Sequence, residues 1–264
     1  TTFRLFHGEG DNIPGLIIDC YGDTAVMQAH NVGIHIFRHE ICKALIAVTG
    51  DRIKNIYYKS ETTLPYKADL DSSNGFIYGK MNSDITLENG LKFHVDWLKG
   101  QKTGFFVDQR ENRKLLERYS KDRSVLNMFC YTGGFSVYAM RGGARLVHSV
   151  DSSSKAIELT NQNIALNFSD DKRHTAFCVD AFKYLVILDP PAFAKHRSAV
   201  HNALKGYTRL NQKGLQHIKS GGILFTFSCS QIITKENFRN AVFTAAVHAN
   251  RKVKILHQLH QPAD

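Results

Sequence analysis

From Ser124 onward the chain alternates short apolar runs with helical stretches, and nothing else in the sequence limits the possible folds as sharply. Residues 125–129 read as a strand and 136–140 as the helix that follows. A second strand is expected at 146–150, with a helix over 155–166. Strands three to five fall at 174–179, 186–188 and 222–227. This alternation describes an α/β, doubly wound parallel sheet with helices on its faces. In such sheets the chemistry gathers along the carboxyl ends of the strands. One interval does not fit. Asp180 and Val186 are too close for a right-handed parallel crossover, which implies residues missing after Leu185.

The residues that end these strands carry the functional argument. Asn127-Met-Phe-Cys-Tyr-Thr-Gly-Gly-Phe-Ser136 joins the first strand to its helix, and its paired glycines let a ligand lie against bare backbone. It has neither the Gly-x-Gly-x-x-Gly spacing of a dinucleotide site nor the Lys-Ser/Thr of a phosphate loop. Asp151, followed by Ser152, ends the second strand where a carboxylate can bind ribose hydroxyls, and Asp180 ends the third, placed for an adenine amino group. A turn and two acids at successive strand ends suit an adenosyl cofactor without phosphate-binding apparatus, and S-adenosylmethionine (SAM) meets that description. The candidate cofactor positions along this rim, some of them set by the resemblance given below, are Asn127, Phe129, Cys130, Tyr131, Thr132, Gly133, Gly134, Asp151, Ser152, Asp180, Asp189 and Pro190.

The fourth and fifth strands supply reactive groups. Asp189-Pro-Pro-Ala-Phe-Ala-Lys195 is a loop stiffened by prolines, with Asp189 able to bond an exocyclic amine or ring nitrogen. Pro191, Phe193 and Lys195 are candidates for a base pocket, with Phe193 available to stack. Gly222-Ile-Leu-Phe-Thr-Phe-Ser-Cys-Ser230 delivers one thiol, Cys229, at a strand end. C5 of a pyrimidine is a poor nucleophile, and a thiolate adding to C6 pushes electron density onto it. Cys229 is expected to be that nucleophile and Asp189 its catalytic partner. Cys20, Cys42 and Cys178 read as small core residues, and Cys130 as a packing residue.

Residues 1–82 read as a small α+β domain in the order β-β-α-β-β, serving to position RNA or to pair subunits. Its phosphate contacts are expected at Lys54, Lys59 and Lys67. Gly8-Glu-Gly-Asp-Asn-Ile-Pro-Gly15 is read as a turn, with no strand clearly before it and a strand after it. Residues 83–264 are expected to form the second domain, opening with a hairpin whose Asn89-Gly90 suits a primed turn. A polar helix should end near Tyr119.

Composition narrows the partners. With 34 Lys+Arg against 24 Asp+Glu the net charge is +10, which favours a polyanion. The five cysteines form no C-x-x-C pair and the 13 histidines no metal-like spacing, so no metal is expected. An odd, scattered cysteine set also suits a reducing, cytoplasmic setting. No apolar run approaches the roughly 20 residues of a membrane span, and Thr1-Thr-Phe-Arg does not open a signal peptide.

Five segments together carry a resemblance. They are Phe6-His-Gly-Glu-Gly-Asp-Asn-Ile-Pro-Gly-Leu-Ile-Ile-Asp19, Lys102-Thr-Gly-Phe-Phe-Val-Asp-Gln-Arg110, Phe129-Cys-Tyr-Thr-Gly-Gly-Phe-Ser136, Asp189-Pro-Pro-Ala-Phe-Ala-Lys195 and Phe227-Ser-Cys-Ser230. In this order they resemble the bacterial 23S rRNA cytosine-C5 methyltransferases of the PUA-containing type. The resemblance implies a class I, Rossmann-like SAM methyltransferase behind a small α+β domain. It implies Cys229 as nucleophile, Asp189 in the base pocket, and Phe129, Tyr131, Gly133, Asp151 and Asp180 around the cofactor. Phe106, Asp108 and Arg110 are implied nearby. It further implies 23S rRNA as partner, cytoplasmic action and a homodimer. The family's PUA domain has no counterpart in the sequence, so a fragment or a shortened relative is expected. The loop after Asp189 also lacks the cysteine of two-cysteine enzymes, which leaves water or Asp189 to take the C5 proton. Two other functions compete. An N-methyltransferase acting on a purine or exocyclic amine would make Cys229 incidental, and a non-enzymatic RNA-binding module would not need SAM.

Overall fold

The computed structural model describes residues 2–65, 70–179, 187, 188, 190, 192, 193, 196–230 and 232–259. They form two compact units, one ending at Glu111 and one beginning at Asn112.

The first unit is built on a five-stranded sheet in the order β1-β2-β3-β4-β5. Its strands are β1 (Thr2–His7), β2 (Leu16–Tyr21), β3 (Thr24–Ala29), β4 (Asn55–Tyr58) and β5 (Gly75–Tyr78). Between β3 and β4 run α1 (Val32–Ile36) and α2 (Arg38–Thr49), a single expected helix that is broken at Phe37. The sheet therefore has one strand more than the sequence pattern suggests. β1 pairs antiparallel with β2, so Gly8–Asp11 is the connection of a hairpin rather than a phosphate loop, in agreement with its reading as a turn. The extra strand escapes notice because the adjacent Leu5 and Phe6 break its alternation, and its pairing with β2 shifts register between Arg4 and Phe6. The Arg4 guanidinium grips Asp19 at 2.8 and 3.0 Å, and the carboxylate is fully buried. Losing one partner of such a pair costs about 3–5 kcal/mol, since the other charge is stranded.

The domain boundary expected after residue 82 lies instead after Glu111. The hairpin of β6 (Ile85–Glu88) and β7 (Leu91–His94) and the segment behind it are tied to the first sheet. Thr86 bonds Thr2 at 2.9 Å, Trp97 stacks on Tyr21 with centroids 6.1 Å apart, and Thr103 donates to Asp19 at 2.5 Å. The turn between β6 and β7 has Asn89 and Gly90 at φ of 49° and 82°, the primed geometry that Asn-Gly favours.

The helix α3 (Arg110–Tyr119) crosses the boundary, and beyond it stands the parallel sheet. Its strands are β8 (Ser124–Met128), β9 (Leu146–Asp151), β10 (His174–Cys178), β11 (Ile187–Leu188) and β12 (Phe225–Thr226), in the order β10-β9-β8-β11-β12. Every pairing among them is parallel. The order reverses direction between β8 and β11, which makes the carboxyl ends of those two strands the topological switch point. Strand-linking helices are α4 (Gly134–Arg141), α5 (Ser154–Asn167) and α6 (Val200–His217), with α7 (Lys235–His248) following β12. The short interval at residues 180–186 lies outside the described residues.

The two rims of this sheet differ. On the amino-terminal rim the chain re-enters β8, β9, β10 and β12 through exposed returns at Asp122, Gly143, Asp170 and Gly221, all in the left-handed region. The other rim carries the site described below. Between β8, α4 and β9 runs a buried polar chain: Asn127 donates to Ser136 at 2.9 Å, Ser136 bonds Ser149 at 2.6 Å, and Ser149 meets His174 Nε2 at 2.8 Å. Burial, with His148 nearby, pushes His174 down to about 4. The unfolded chain titrates this group near the ordinary histidine value of 6.5. Between those limits the unfolded state binds more protons, so stability is full above that window and is lost as pH falls through it. His30 and His35, also lowered by burial, act in the same sense. Chemical denaturation between pH 7 and 4.5 is expected to show this decline, with His174→Gln showing a shallower one. An unchanged slope in His174→Gln would refute the assignment.

Candidate active site

The cofactor side of the site is the β8–α4 turn. Phe129 and Tyr131 have φ of 56° and 49°, and Gly133 follows at 75°. Two non-glycine residues in the left-handed region within three positions are strained and need outside support. Asp151 provides it from the end of β9, where its Oδ2 accepts the Tyr131 N–H at 3.0 Å and its Oδ1 the Ser153 N–H at 2.9 Å. From α5, Thr160 donates to the Tyr131 carbonyl at 3.0 Å and Asn163 to the Thr132 carbonyl at 2.8 Å. A Cβ on Gly133 would lie 2.7 Å from Thr160 Cγ2, so the turn closes on α5 only with glycine there. Thr160 and Asn163 are fully buried, and sequence reasoning did not single them out. A polar pair three residues apart on the core face of a helix was the available signal.

Among the expected cofactor residues, Phe129, Tyr131, Gly133, Gly134 and Asp151 come together around this turn, with Asp151 half-buried and Ser152 exposed. Asn127, Cys130 and Thr132 lie beneath it. Asn127 is only 1% exposed, with its amide engaged under α4 and its Oδ1 unpartnered among the described residues. Burial drives the Cys130 thiol up to about 12, which removes it as a rival nucleophile. The donor and acceptor set fits an adenosyl group. Asp151 is an acceptor-only carboxylate with lone pairs to spare for vicinal hydroxyls, and the turn 129–134 carries no basic side chain for a diphosphate. Phe106, Asp108 and Arg110 belong to the first unit. There Lys102 sits 4.5 Å over the Phe106 ring and 3.4 Å from Asp108, while Arg110 reaches the Thr2 carbonyl at 3.5 Å. Asp180, expected at the adenine, lies outside the described residues.

The reactive side is formed where β11 and β12 end. These strands pair with Leu188 opposite Thr226, which brings their following loops together. Cys229 is exposed, and its thiol donates to the Pro190 carbonyl at 3.5 Å. The sequence motifs thirty-nine residues apart thus share one rim. On α6 the fully buried Tyr207 accepts a bond from Ser228 at 2.9 Å and pairs with Ser230 at 3.0 Å, bracketing the cysteine. Asp189, Pro191 and Lys195 lie outside the described residues. Phe193, expected to stack on an extruded base, is a core contact here, with its ring 4.7 Å from that of Tyr207. A second correction concerns Cys178: expected in the core, it is exposed at the end of β10, because a strand terminus at a sheet edge has little to cover it. Cys20 and Cys42 are buried as expected.

A family model described as S-adenosylmethionine-dependent methyltransferase matches residues 60–249. Fold, site and this match define the class: a SAM-dependent methyltransferase on a doubly wound parallel sheet. A relative from Tolumonas auensis, named ribosomal RNA large subunit methyltransferase I, is 40% identical over 279 residues, covering 100% of this chain and 70% of its own length. One of the same name from Alteromonas mediterranea is 38% identical over 275 residues, covering 99% and 69%. A solved methyltransferase complexed with SAH superposes with a TM-score of 0.85 at 29% identity, over 99% of this chain and 70% of that one. The chain belongs to the family of the ribosomal RNA large subunit methyltransferase I proteins. None of its described helices is long and apolar enough to cross a membrane.

Proposed function

We propose that this enzyme methylates C5 of a cytosine in large-subunit ribosomal RNA through a covalent adduct on Cys229. The observation that carries the reading is an exposed thiol at the end of the fifth strand, 3.5 Å from the main chain of the Asp-Pro-Pro loop. Asp151 and the strained turn beside it would hold SAM, with Asp180 at the adenine as the resemblance implies. When bound, SAM supplies an electrophilic methyl group. The chain's own part is to make C5 reactive. The Cys229 thiolate adds to C6, breaking the C5–C6 double bond and placing its electron pair at C5. Once C5 is methylated, its proton passes to Asp189 or water, the double bond reforms and the thiolate leaves.

The RNA contact is sought on α6 as well as at the exposed Lys54 of the first unit. Lys59, expected to meet phosphate, is tied to the Gly100 carbonyl at 2.6 Å, and Lys67 lies outside the described residues. On α6, His201, Lys205, Arg209, Lys213 and His217 are all exposed, and the helix contains no acidic residue. Like charges four apart weaken a helix by about 0.2–0.5 kcal/mol per pair, a cost that a polyanion offsets. A homodimer and action in the cytoplasm, where ribosomal RNA is found, complete the reading.

Ribosomal RNA carrying 5-fluorocytidine tests it directly, because fluorine cannot leave C5 as a proton does. A denaturant-stable protein–RNA adduct mapping to Cys229 is expected. No adduct, with an N-methylated purine as the product of ordinary RNA, would overturn the reading in favour of nitrogen methylation.

A further inference from the structure

Resting on Cys229 as the nucleophile, we propose that Tyr207 is a positioning residue that fixes the thiol against the loop holding the base. The side chain is completely buried on α6, yet its hydroxyl does not serve the helix. Ser228 donates to it at 2.9 Å, and it shares a second hydrogen bond with the Ser230 hydroxyl at 3.0 Å. The Ser230 N–H turns back to Ser228 Oγ at 3.4 Å and closes the bracket around Cys229. Both neighbours of the thiol therefore hang on one oxygen atom.

The ring of the same residue holds the other arm. Phe193, in the loop that begins with the Asp-Pro-Pro motif, packs on it with centroids 4.7 Å apart and planes at 38°. A Cβ on Gly206 would lie 3.0 Å from Phe193 Cδ2, so bare helix backbone gives that ring its seat. Phe238 of α7 meets Tyr207 edge-on at 5.2 Å and stiffens it from behind. These apolar surroundings would accept phenylalanine equally well. Burying a hydroxyl among them is costly unless it is bonded, and its two partners among the described residues flank the nucleophile. Ring and hydroxyl together set the spacing between the base-holding loop and the sulfur that must reach C6.

Tyr207→Phe keeps the ring and removes the tie. Expected are a melting temperature close to that of the original chain, an unchanged KM for SAM, and a kcat lower by roughly 10- to 100-fold. Alkylation of Cys229 by iodoacetamide, followed by mass mapping, should also change in rate. The double variant Ser228→Ala, Ser230→Ala should lose as much, and combining it with Tyr207→Phe should add little more. Should Tyr207→Phe fail to fold, the serine variant decides alone. Unchanged kcat and Cys229 alkylation in either variant, or fully additive losses, would overturn the positioning role. The 5-fluorocytidine adduct separates the two failures. An unaltered chain that forms none refutes the nucleophile itself, whereas Tyr207→Phe forming it at full speed refutes only the clamp.

Discussion

Cys229→Ala is expected to abolish methyl transfer to ribosomal RNA while leaving SAM binding intact. Losing a covalent nucleophile typically costs at least about 10⁴-fold in turnover, because the step it enables has no substitute of similar height. The structure makes the separation of effects clean. The Cys229 thiol is exposed and contacts Pro190, while the cofactor turn is held by Asp151, Thr160 and Asn163 from other strands and helices. Removing one sulfur atom leaves those bonds untouched. Calorimetric titration with SAM should therefore match the original chain, and radiolabelled methyl incorporation should vanish. Turnover above about a hundredth of normal would show that the thiol is incidental.

Asp151→Ala should produce the complementary defect, with cofactor binding lost before chemistry. The carboxylate does two jobs at once. It anchors the Tyr131 N–H, which keeps Phe129 and Tyr131 in their left-handed conformations, and it offers further acceptor capacity to a sugar. Charge-assisted hydrogen bonds contribute about 1.5–3 kcal/mol each, so SAM affinity should fall roughly 10- to 100-fold for one lost bond. Asp151→Asn, which keeps an acceptor for Tyr131 but not the charge, should lie between alanine and the original. Alanine binding SAM with unchanged affinity would exclude Asp151 from the cofactor site.

That the sequence places Asp151 and Cys229 at strand ends, while hiding other features of the fold, has a physical basis. Asp151 and Cys229 close apolar runs, and a parallel sheet exposes the residue that follows each strand. Period and position were enough. The turn at 129–134 was legible for the same reason, although its strain was not, since nothing in Phe-Cys-Tyr announces φ above zero. What the linear pattern hides is mutual support. β1 was missed because Leu5-Phe6 breaks its alternation, and its Arg4 is held by Asp19 fifteen residues away. The boundary was set too early because Thr103 and Trp97 bond and stack on residues of the first sheet, a long-range choice invisible in their neighbours. α6 was not foreseen at all. Gly206 and Gly214 argue locally against a helix, yet Gly206 is where Phe193 packs and Gly214 is buried. Phe193 was assigned to a base because an aromatic in a loop looks available; Tyr207 claims it instead.

The left-handed returns at Asp122, Gly143, Asp170 and Gly221 have a practical bearing. They are exposed, lie a strand's length from the reactive rim, and are already bent in ways ordinary sequence avoids. A fluorophore, an affinity tag or a short inserted epitope belongs there rather than beside the carboxyl ends. The sheet thereby offers engineers a handle on one side and its working surface on the other.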